Sequence, residues 1–140
     1  MAKQYNRYNA YQFDSKWEKA LVEGIFSGYE YHPQRISYTK PATKHTYQPD
    51  WKIVRGNHVV FVEAKGRFRE RAEYTKYLYV REALKKNEEL VFLFMKPNTP
   101  MPFAQKRKDG TKRSHAEWAD AEGFRWFDEK SIHILLGDDK

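Results

Sequence analysis

The sequence predicts one α/β domain in which a mixed sheet is flanked by helices. Helical and extended patterns alternate along the chain, which favours this class over an all-helical or all-strand fold. The chain has 140 residues and is 40% hydrophobic, so it is long enough to bury one substantial core. Residues 1–13 are polar and are expected to form a flexible tail, whereas residues 14–140 are expected to form the domain.

The first half of the domain is predicted to contain one helix and a long connector. Ser15-Lys16-Trp17-Glu18 has the pattern of a capping box, so a helix should begin there, and Gly28 is a plausible end for it. The following stretch alternates only loosely and contains Pro33 and Pro41. Because proline is excluded from central strands, we expect an edge strand or a connector over about 31–47.

A β-hairpin is the best-defined element of the sequence. One strand is predicted over 50–54 and the other over 58–65, with Arg55-Gly56-Asn57 as the turn. A helix over 70–87 and a buried strand over 90–95 should follow, the latter because its apolar run is continuous.

The last third is predicted to hold a loop, a helix and two short segments. The Pro-rich stretch over 97–113 reads as a flexible loop. Ser114-His115-Ala116-Glu117 is a second capping box, and its helix should end at Gly123. A short strand over 124–127 and an apolar segment over 131–136 should complete the core.

Composition restricts the partner and the compartment. The formal net charge is +7, which favours an anionic partner. Nucleic acid fits better than a membrane, because no apolar run approaches the roughly 18 residues that a membrane-spanning helix needs. The chain has no cysteine, which excludes disulfides and thiolate metal sites. A soluble, intracellular protein is therefore expected.

The open end of the hairpin carries the candidate chemistry. Side chains alternate along a strand, so Glu63 and Lys65 project from the same face. Counting back from the turn places Asp50 nearly opposite Glu63, so the two carboxylates can flank one cation. Oxygen ligands without thiolates or a histidine cluster suit Mg²⁺ or Mn²⁺. Lys65 can stabilise negative charge that develops on a phosphate, or deprotonate a water if its pKa is lowered.

Less specific interpretations remain open at this point. Glu63 and Lys65 can form an ordinary surface ion pair, and Pro-Asp often only opens a turn. Glu18 is a third candidate carboxylate, but at this position of a capping box it can instead accept the Ser15 backbone N–H. His45 can contact a phosphate or make a local hydrogen bond. The other four histidines show no ligand spacing and receive no role.

Basic residues close to the predicted site are candidate contacts to DNA phosphates. One group follows the hairpin and the other lies on the Pro-rich loop, although charge runs of this kind are often only solvated surface. The candidates are Arg67, Arg69, Arg71 and Lys76 in the first group, and Lys106, Arg107, Lys108, Lys112 and Arg113 in the second.

Pro49-Asp50, a spacer and Glu63-Ala64-Lys65 together form the signature of PD-(D/E)XK nucleases. The chain further resembles the phage endonuclease I family of small Holliday-junction resolvases. Four segments carry this resemblance, which spans about residues 14–128: SKWEK from Ser15, HTYQPD from His45, FVEAKG from Phe61 and VRE from Val80.

The resemblance implies a fold, a set of roles and an assembly. The fold would have a restriction-endonuclease-like core. Glu18, Asp50 and Glu63 would bind Mg²⁺, with Mn²⁺ able to substitute, and Lys65 would complete the catalytic set. The protein would be a homodimer with exchanged segments, bridged by the connector, that acts on branched DNA in the cytoplasm of the infected bacterial host.

The expected activity is metal-dependent hydrolysis of four-way and other branched DNA junctions. Two features depart from the family: the spacer between Asp50 and Glu63 is longer than expected, and the C-terminus lacks a basic tail. Two rival hypotheses therefore stay open. One is a nuclease of the same fold with different selectivity, such as a nickase, a restriction-type enzyme or a DNA-end nuclease. The other is a basic DNA-binding protein without catalysis.

Overall fold

A computed structural model describes residues 15–40 and 43–137. The predicted N-terminal tail lies outside the described residues. The elements are, in chain order, α1 (Lys16–Glu23), β1 (Glu30–Tyr31), β2 (Ile36–Lys40), β3 (Thr43–Tyr47), β4 (Trp51–Arg55), β5 (His58–Lys65), α2 (Arg71–Ala83), β6 (Glu88–Phe94), α3 (His115–Glu122), β7 (Trp126–Phe127) and α4 (His133–Leu136).

Five of the strands form one mixed sheet in the order β1-β4-β5-β6-β7. β4 runs antiparallel to both β1 and β5, whereas β5, β6 and β7 run parallel to one another. The parallel pairs are joined through α2 and α3, as parallel strands require a crossover connection. The predicted α/β class with a mixed sheet flanked by helices is confirmed.

Strand β5 separates two hydrophobic clusters because its side chains alternate between the faces of the sheet. Val60 and Val62 pack on one face with Trp51, and Phe61 packs on the other face with Tyr77 of α2. Trp51 is fully buried and stacks on Phe26 at 4.2 Å between ring centroids. Truncation of a buried aromatic residue of this kind typically costs about 3–5 kcal/mol. The functional end of β5 is thus supported by core on both sides.

The predicted start of α1 is confirmed, but its predicted end is wrong. Ser15 Oγ accepts the Glu18 backbone N–H at 3.0 Å, as an N-cap should. The helix stops at Glu23, because Gly24 leaves the helical conformation while its N–H still bonds to Ala20 and Leu21 carbonyls. The chain then turns up to Gly28, which has a φ of +90°. Gly28 therefore ends the turn and not the helix.

The expected connector is more structured than the sequence indicated. β1 is an edge strand paired to β4, as anticipated for a proline-containing stretch. The rest folds back on itself as an antiparallel hairpin of β2 and β3, in which Ile36 is paired with Tyr47. Tyr38 and Tyr47 are buried in the cluster that also holds α2. Ile36 and Tyr38 alternate along β2, and together with Tyr47 of β3 they form a buried face that the sequence pattern did not reveal.

The remaining predictions differ from the structure mainly at element ends. β5 has the predicted bounds, whereas α2 ends at Ala83, four residues early, because Leu84 is extended. β6 begins two residues earlier than expected, and the strand predicted over 124–127 is reduced to β7. The second capping box is present, and Gly123 ends α3 with a φ of +83°. The predicted flexible loop over 97–113 is irregular and anchored by the buried Met101.

Within the part of the chain that the structure describes, no helix is both long enough and apolar enough to cross a membrane.

Candidate active site

Asp50 and Glu63 meet at the open end of the β4–β5 hairpin, as the sequence predicted. Trp51 is paired with Val62, and the Asp50 N–H donates to the Val62 carbonyl at 3.1 Å, so Asp50 lies opposite Glu63. This register follows from the tight turn at Gly56, where a φ of +59° is accommodated without strain. Asp50 Oδ2 then accepts the Ala64 N–H at 2.8 Å, which fixes its carboxylate against β5.

Helix α1 brings Glu18 to the same corner. The Glu18 side chain is only 6% exposed, and its Oε2 accepts a long hydrogen bond of 3.4 Å from the Tyr31 hydroxyl. Its carboxylate also lies close enough to Asp50 for its negative charge to raise the pKa of Asp50. The sequence left two roles open for Glu18, and the structure directs its carboxylate towards Asp50.

His32 belongs to this group, although sequence reasoning gave it no role. Its Nε2 lies 3.7 Å from Asp50 Oδ1. One ligand atom from each of Glu18, His32 and Asp50 lies within 4.8 Å of the other two. His32 lies beside Asp50 because the two-residue strand β1 pairs with β4, and the sequence gave no sign of that pairing. A strand this short has no periodicity to detect.

Two tyrosines hold the Glu63 carboxylate, and sequence reasoning missed both. The Tyr47 hydroxyl donates to Oε1 at 2.5 Å, and the Tyr77 hydroxyl donates to Oε2 at 3.0 Å. Burial raises the pKa of both phenols well above the usual range, and the negative charge of Glu63 raises it further. Both hydroxyls therefore stay protonated as donors. The only sequence signal was the position of Tyr47 within the HTYQPD segment.

Lys65 is held between two carboxylates. Its Nζ donates to Glu73 Oε2 at 2.8 Å and lies 3.8 Å from Glu63 Oε2. Burial alone would lower the pKa of Lys65, but the charge of Glu63 and the hydrogen bond to Glu73 outweigh it and raise the pKa. The alternative in which Lys65 deprotonates a water requires a lowered pKa, so the raised pKa favours the role in which Lys65 stabilises negative charge. Its ammonium group is a fixed positive charge.

The pKa values of the buried acids Asp50 and Glu63 are raised. Burial raises the pKa of Asp50 well above its usual range, and the charges of Glu63 and Glu18 raise it further, against the opposing Ala64 hydrogen bond. Burial also raises the pKa of Glu63, although Lys65 and Tyr47 partly oppose it. Buried like charges of this kind are costly unless a cation joins them.

These residues line an open cavity of about 580 Å³. Its walls include Glu18, Asp50, Glu63 and Lys65, together with Arg67 and Arg69 from the first predicted basic group. Arg71 is exposed at the first turn of α2. Lys76 is half-buried. Its Nζ lies 4.9 Å from the Tyr77 ring centroid and 5.6 Å from the Tyr47 ring centroid, so it packs over the two tyrosines that hold Glu63.

His45 and the loop cations occupy other positions. His45 is exposed on β3 and lines a second cavity, of about 790 Å³, between the β2–β3 hairpin and α2. His45 is therefore not among the residues that line the site cavity. Lys106, Lys108 and Lys112 are exposed, Arg113 is half-buried, and Arg107 pairs with Glu117 at 2.7 Å. The loop that carries them leaves the rim of the site cavity at Thr99.

The sequence model of one family, phage endonuclease I, matches residues 1–136, nearly the whole chain. The chain belongs to the phage endonuclease I family. The family description identifies an endonuclease, whose substrate is nucleic acid. A comparison with curated proteins finds no match to this chain.

The donor set of this endonuclease I member fits a divalent cation. Two buried carboxylates and an imidazole converge, and the pKa of Asp50 is raised by burial and by the like charges of its neighbours. A bound cation would neutralise that repulsion. Carboxylate oxygens are ligands for Mg²⁺ and Mn²⁺, and imidazole adds affinity for transition metals. The buried group is consistent with a metal-dependent nuclease.

Proposed function

We propose that this protein is a divalent-metal-dependent endodeoxyribonuclease that hydrolyses phosphodiester bonds in four-way and other branched DNA junctions. One observation carries the proposal: Asp50 and Glu63 lie opposite each other in the β4–β5 register, with Glu18 and Lys65 in the same cavity. Membership of the phage endonuclease I family supports it. A site that only bound DNA would have no use for three buried acids beside a phosphate.

Glu18, Asp50 and Glu63 would hold Mg²⁺, with Mn²⁺ able to substitute. When bound, such an ion lowers the pKa of a coordinated water and stabilises charge on the phosphate. Lys65 supplies a permanent positive charge for an oxygen of the pentavalent transition state, since its pKa is raised. Tyr47 and Tyr77 keep Glu63 in one orientation.

Substrate binding would depend on the cations around the cavity. Arg67 and Arg69 line it and would contact phosphates on either side of the cut. Arg71, Lys76, His45 and the loop cations Lys106, Arg107, Lys108, Lys112 and Arg113 would add contacts to the DNA backbone. Such contacts position the duplex and give affinity without reading sequence.

A homodimer would explain how one protein cuts two strands of a junction. We propose that two chains exchange segments and that the β2–β3 hairpin forms the bridge. Each dimer would then present two sites and make paired nicks in the host cytoplasm during phage infection. In the single chain, α1 and β5 already meet around Asp50.

The test compares cleavage of a labelled four-way junction with cleavage of a linear duplex of equal length, with and without Mg²⁺. Asp50→Asn should abolish cleavage, and Lys65→Ala should lower it by about 10²–10³-fold, while junction binding survives. Glu18→Gln should also lose cleavage. Glu23→Gln on the exposed side of the same helix, and Lys86→Ala in an exposed turn, are matched controls that should cut normally.

Each rival function has its own signature in this assay. Equal cutting of the linear duplex would indicate a nuclease of different selectivity. Binding in Ca²⁺ with no cleavage in Mg²⁺ or Mn²⁺ would indicate a DNA-binding protein without catalysis. Normal cleavage by the Asp50 or Lys65 variant would refute the assignment of the site, and a monomeric mass in solution would refute the dimer.

A further inference from the structure

We infer that His32 is a direct ligand of the cation and that it shifts the preference of the site from Mg²⁺ towards Mn²⁺. This inference rests on the proposed function, because it concerns the ion that the nuclease would use. His32 Nε2 lies 3.7 Å from Asp50 Oδ1, and the ligand atoms of Glu18, His32 and Asp50 lie within 4.8 Å of one another. Ligands about 2.1 Å from a shared octahedral ion are about 3–4.2 Å apart. The observed spacing thus requires only a small contraction.

The backbone at His32 is arranged to deliver its ring to this point. His32 has a φ of +51°, in the left-handed region that few residues other than glycine adopt. Its N–H donates to the Asp50 carbonyl at 2.6 Å, which maintains the turn immediately after β1. A residue kept in a costly conformation beside a candidate site is an observation that points to function.

The His32 ring is also fixed from its face. It stacks on Tyr31 with 4.0 Å between ring centroids and 24° between planes. The Tyr31 hydroxyl in turn donates to Glu18 Oε2. The three candidate ligands are therefore connected through one tyrosine and one backbone turn. A fixed ring loses little conformational freedom on binding an ion, which favours binding.

A nitrogen ligand distinguishes between the two ions. Mg²⁺ demands near-ideal octahedral geometry from oxygen ligands, whereas Mn²⁺, a transition metal that also suits oxygen ligands, accepts an imidazole nitrogen more readily. Glu18 and Asp50 offer oxygen atoms that suit either ion. Loss of the His32 nitrogen should consequently weaken Mn²⁺ binding more than Mg²⁺ binding. If His32 only neutralised Asp50, its loss would change both affinities by the same factor.

The experiment measures Mn²⁺ and Mg²⁺ affinities of the DNA-free protein by titration calorimetry. His32→Asn is the best variant, since asparagine tolerates the left-handed backbone but cannot place a nitrogen ligand at the same reach. We expect the Mn²⁺ affinity to fall about tenfold and the Mg²⁺ affinity to change by less than about twofold. His58→Asn, at the opposite end of the β4–β5 hairpin, is the matched control and should change neither.

A spectroscopic measurement separates a ligand from a neighbour. Electron spin echo modulation of the Mn²⁺ complex should show a ¹⁴N coupling that is present in the wild type and in His58→Asn and absent from His32→Asn. A bound Mn²⁺ with no ¹⁴N coupling in the wild type would overturn the inference, as would equal losses for both ions in His32→Asn.

Asp50→Asn separates failure of this inference from failure of the site. If Asp50→Asn loses Mn²⁺ binding while His32→Asn keeps it, the cation site stands and His32 is not a ligand. If both variants bind Mn²⁺ as the wild type does, the ion binds elsewhere, and both the inference and the proposed site are wrong. Circular dichroism of each variant verifies that the fold is kept.

Discussion

Replacing Asp50 by asparagine should stabilise the metal-free protein, although it destroys the proposed activity. The carboxylate is only 3% exposed and is surrounded by the like charges of Glu63 and Glu18. Burial of one such charge costs several kcal/mol, about 4 here, and its charge-assisted hydrogen bond from Ala64 offsets about 2 kcal/mol. The asparagine amide oxygen can accept the same hydrogen bond, which roughly offsets the cost of burying the neutral amide. The free energy of unfolding should therefore rise by about 2 kcal/mol at pH 7.

The pH dependence of this effect has a defined sign. Burial and like charge raise the pKa of Asp50 in the folded state above its unfolded value. The wild type thus keeps its full stability below the unfolded pKa and loses stability as the pH rises through the folded pKa. The advantage of Asp50→Asn should be near zero at about pH 4 and should grow with pH.

Divalent cations should reverse the order of stability. Mg²⁺ at 100 times its dissociation constant stabilises the wild type by about 2.7 kcal/mol, and the variant without its carboxylate should gain little. Urea unfolding followed by tryptophan fluorescence, in chelator and in Mg²⁺ from pH 4 to 8, measures both effects, since Trp51 is fully buried beside the site. At fixed protein concentration, 2 kcal/mol corresponds to a shift in midpoint temperature of about 8 °C.

Asp109→Asn is the matched control, because its pKa shift has the opposite sign. Hydrogen bonds from Thr111 lower the pKa of the Asp109 carboxylate, which is exposed. This variant should show no gain in stability at pH 7 and no altered response to Mg²⁺. An Asp50→Asn protein that is less stable than the wild type in chelator at pH 7 would refute the electrostatic reasoning.

Four further predictions follow from single contacts. Tyr77→Phe removes one of the two hydroxyls that hold the Glu63 carboxylate. It should lower the single-turnover cleavage rate about tenfold with little change in junction affinity. Glu73→Gln removes a negative charge that raises the pKa of Lys65 and leaves only a weaker neutral acceptor, so the alkaline limb of the pH–rate profile should move to lower pH. Arg67→Ala should weaken junction binding and reduce the slope of log K against log[salt] by about 1, the value for one phosphate contact. The cleavage rate of the saturated complex should stay unchanged. Gly123→Ala should lower the free energy of unfolding by about 1 kcal/mol, because its φ is +83°.

Matched controls make these outcomes decisive. Tyr79→Phe, Glu70→Gln and Arg35→Ala repeat the first three substitutions at positions outside the site cavity, and each should behave as the wild type. A Tyr77→Phe enzyme that cuts at the normal rate would show that Glu63 needs only one tyrosine. An unchanged pH profile in Glu73→Gln, or an unchanged salt slope in Arg67→Ala, would contradict the role given to that contact.

The hairpin could be predicted from the sequence because its geometry is local. A tight turn at Gly56 fixes the pairing of β4 and β5, so the encounter of Asp50 with Glu63 follows from counting residues. The apolar run of β6 and the capping box of α3 were equally local signals. Chain order alone then suggested a mixed sheet.

Other site residues could not be predicted, because long-range packing places them. His32 reaches Asp50 through a two-residue edge strand, and Tyr77 reaches Glu63 because α2 packs on the sheet. The pattern of α2 gave no reason to select one tyrosine over another. The end of α1 was misplaced because both Gly24 and Gly28 could end a helix, and the local pattern did not show that Gly24 would cap it.

The support of β5 by both hydrophobic clusters has a consequence for how the protein can evolve. Any change that moves the end of this strand must disturb two packed layers at once. Substitutions elsewhere in the chain should therefore have little effect on the distance between Asp50 and Glu63. The long segment that leaves the cavity at Thr99 has only a small buried anchor. That segment can therefore change in sequence without moving the acids, and exchanging it for the corresponding segment of another family member should leave the fold of the site intact.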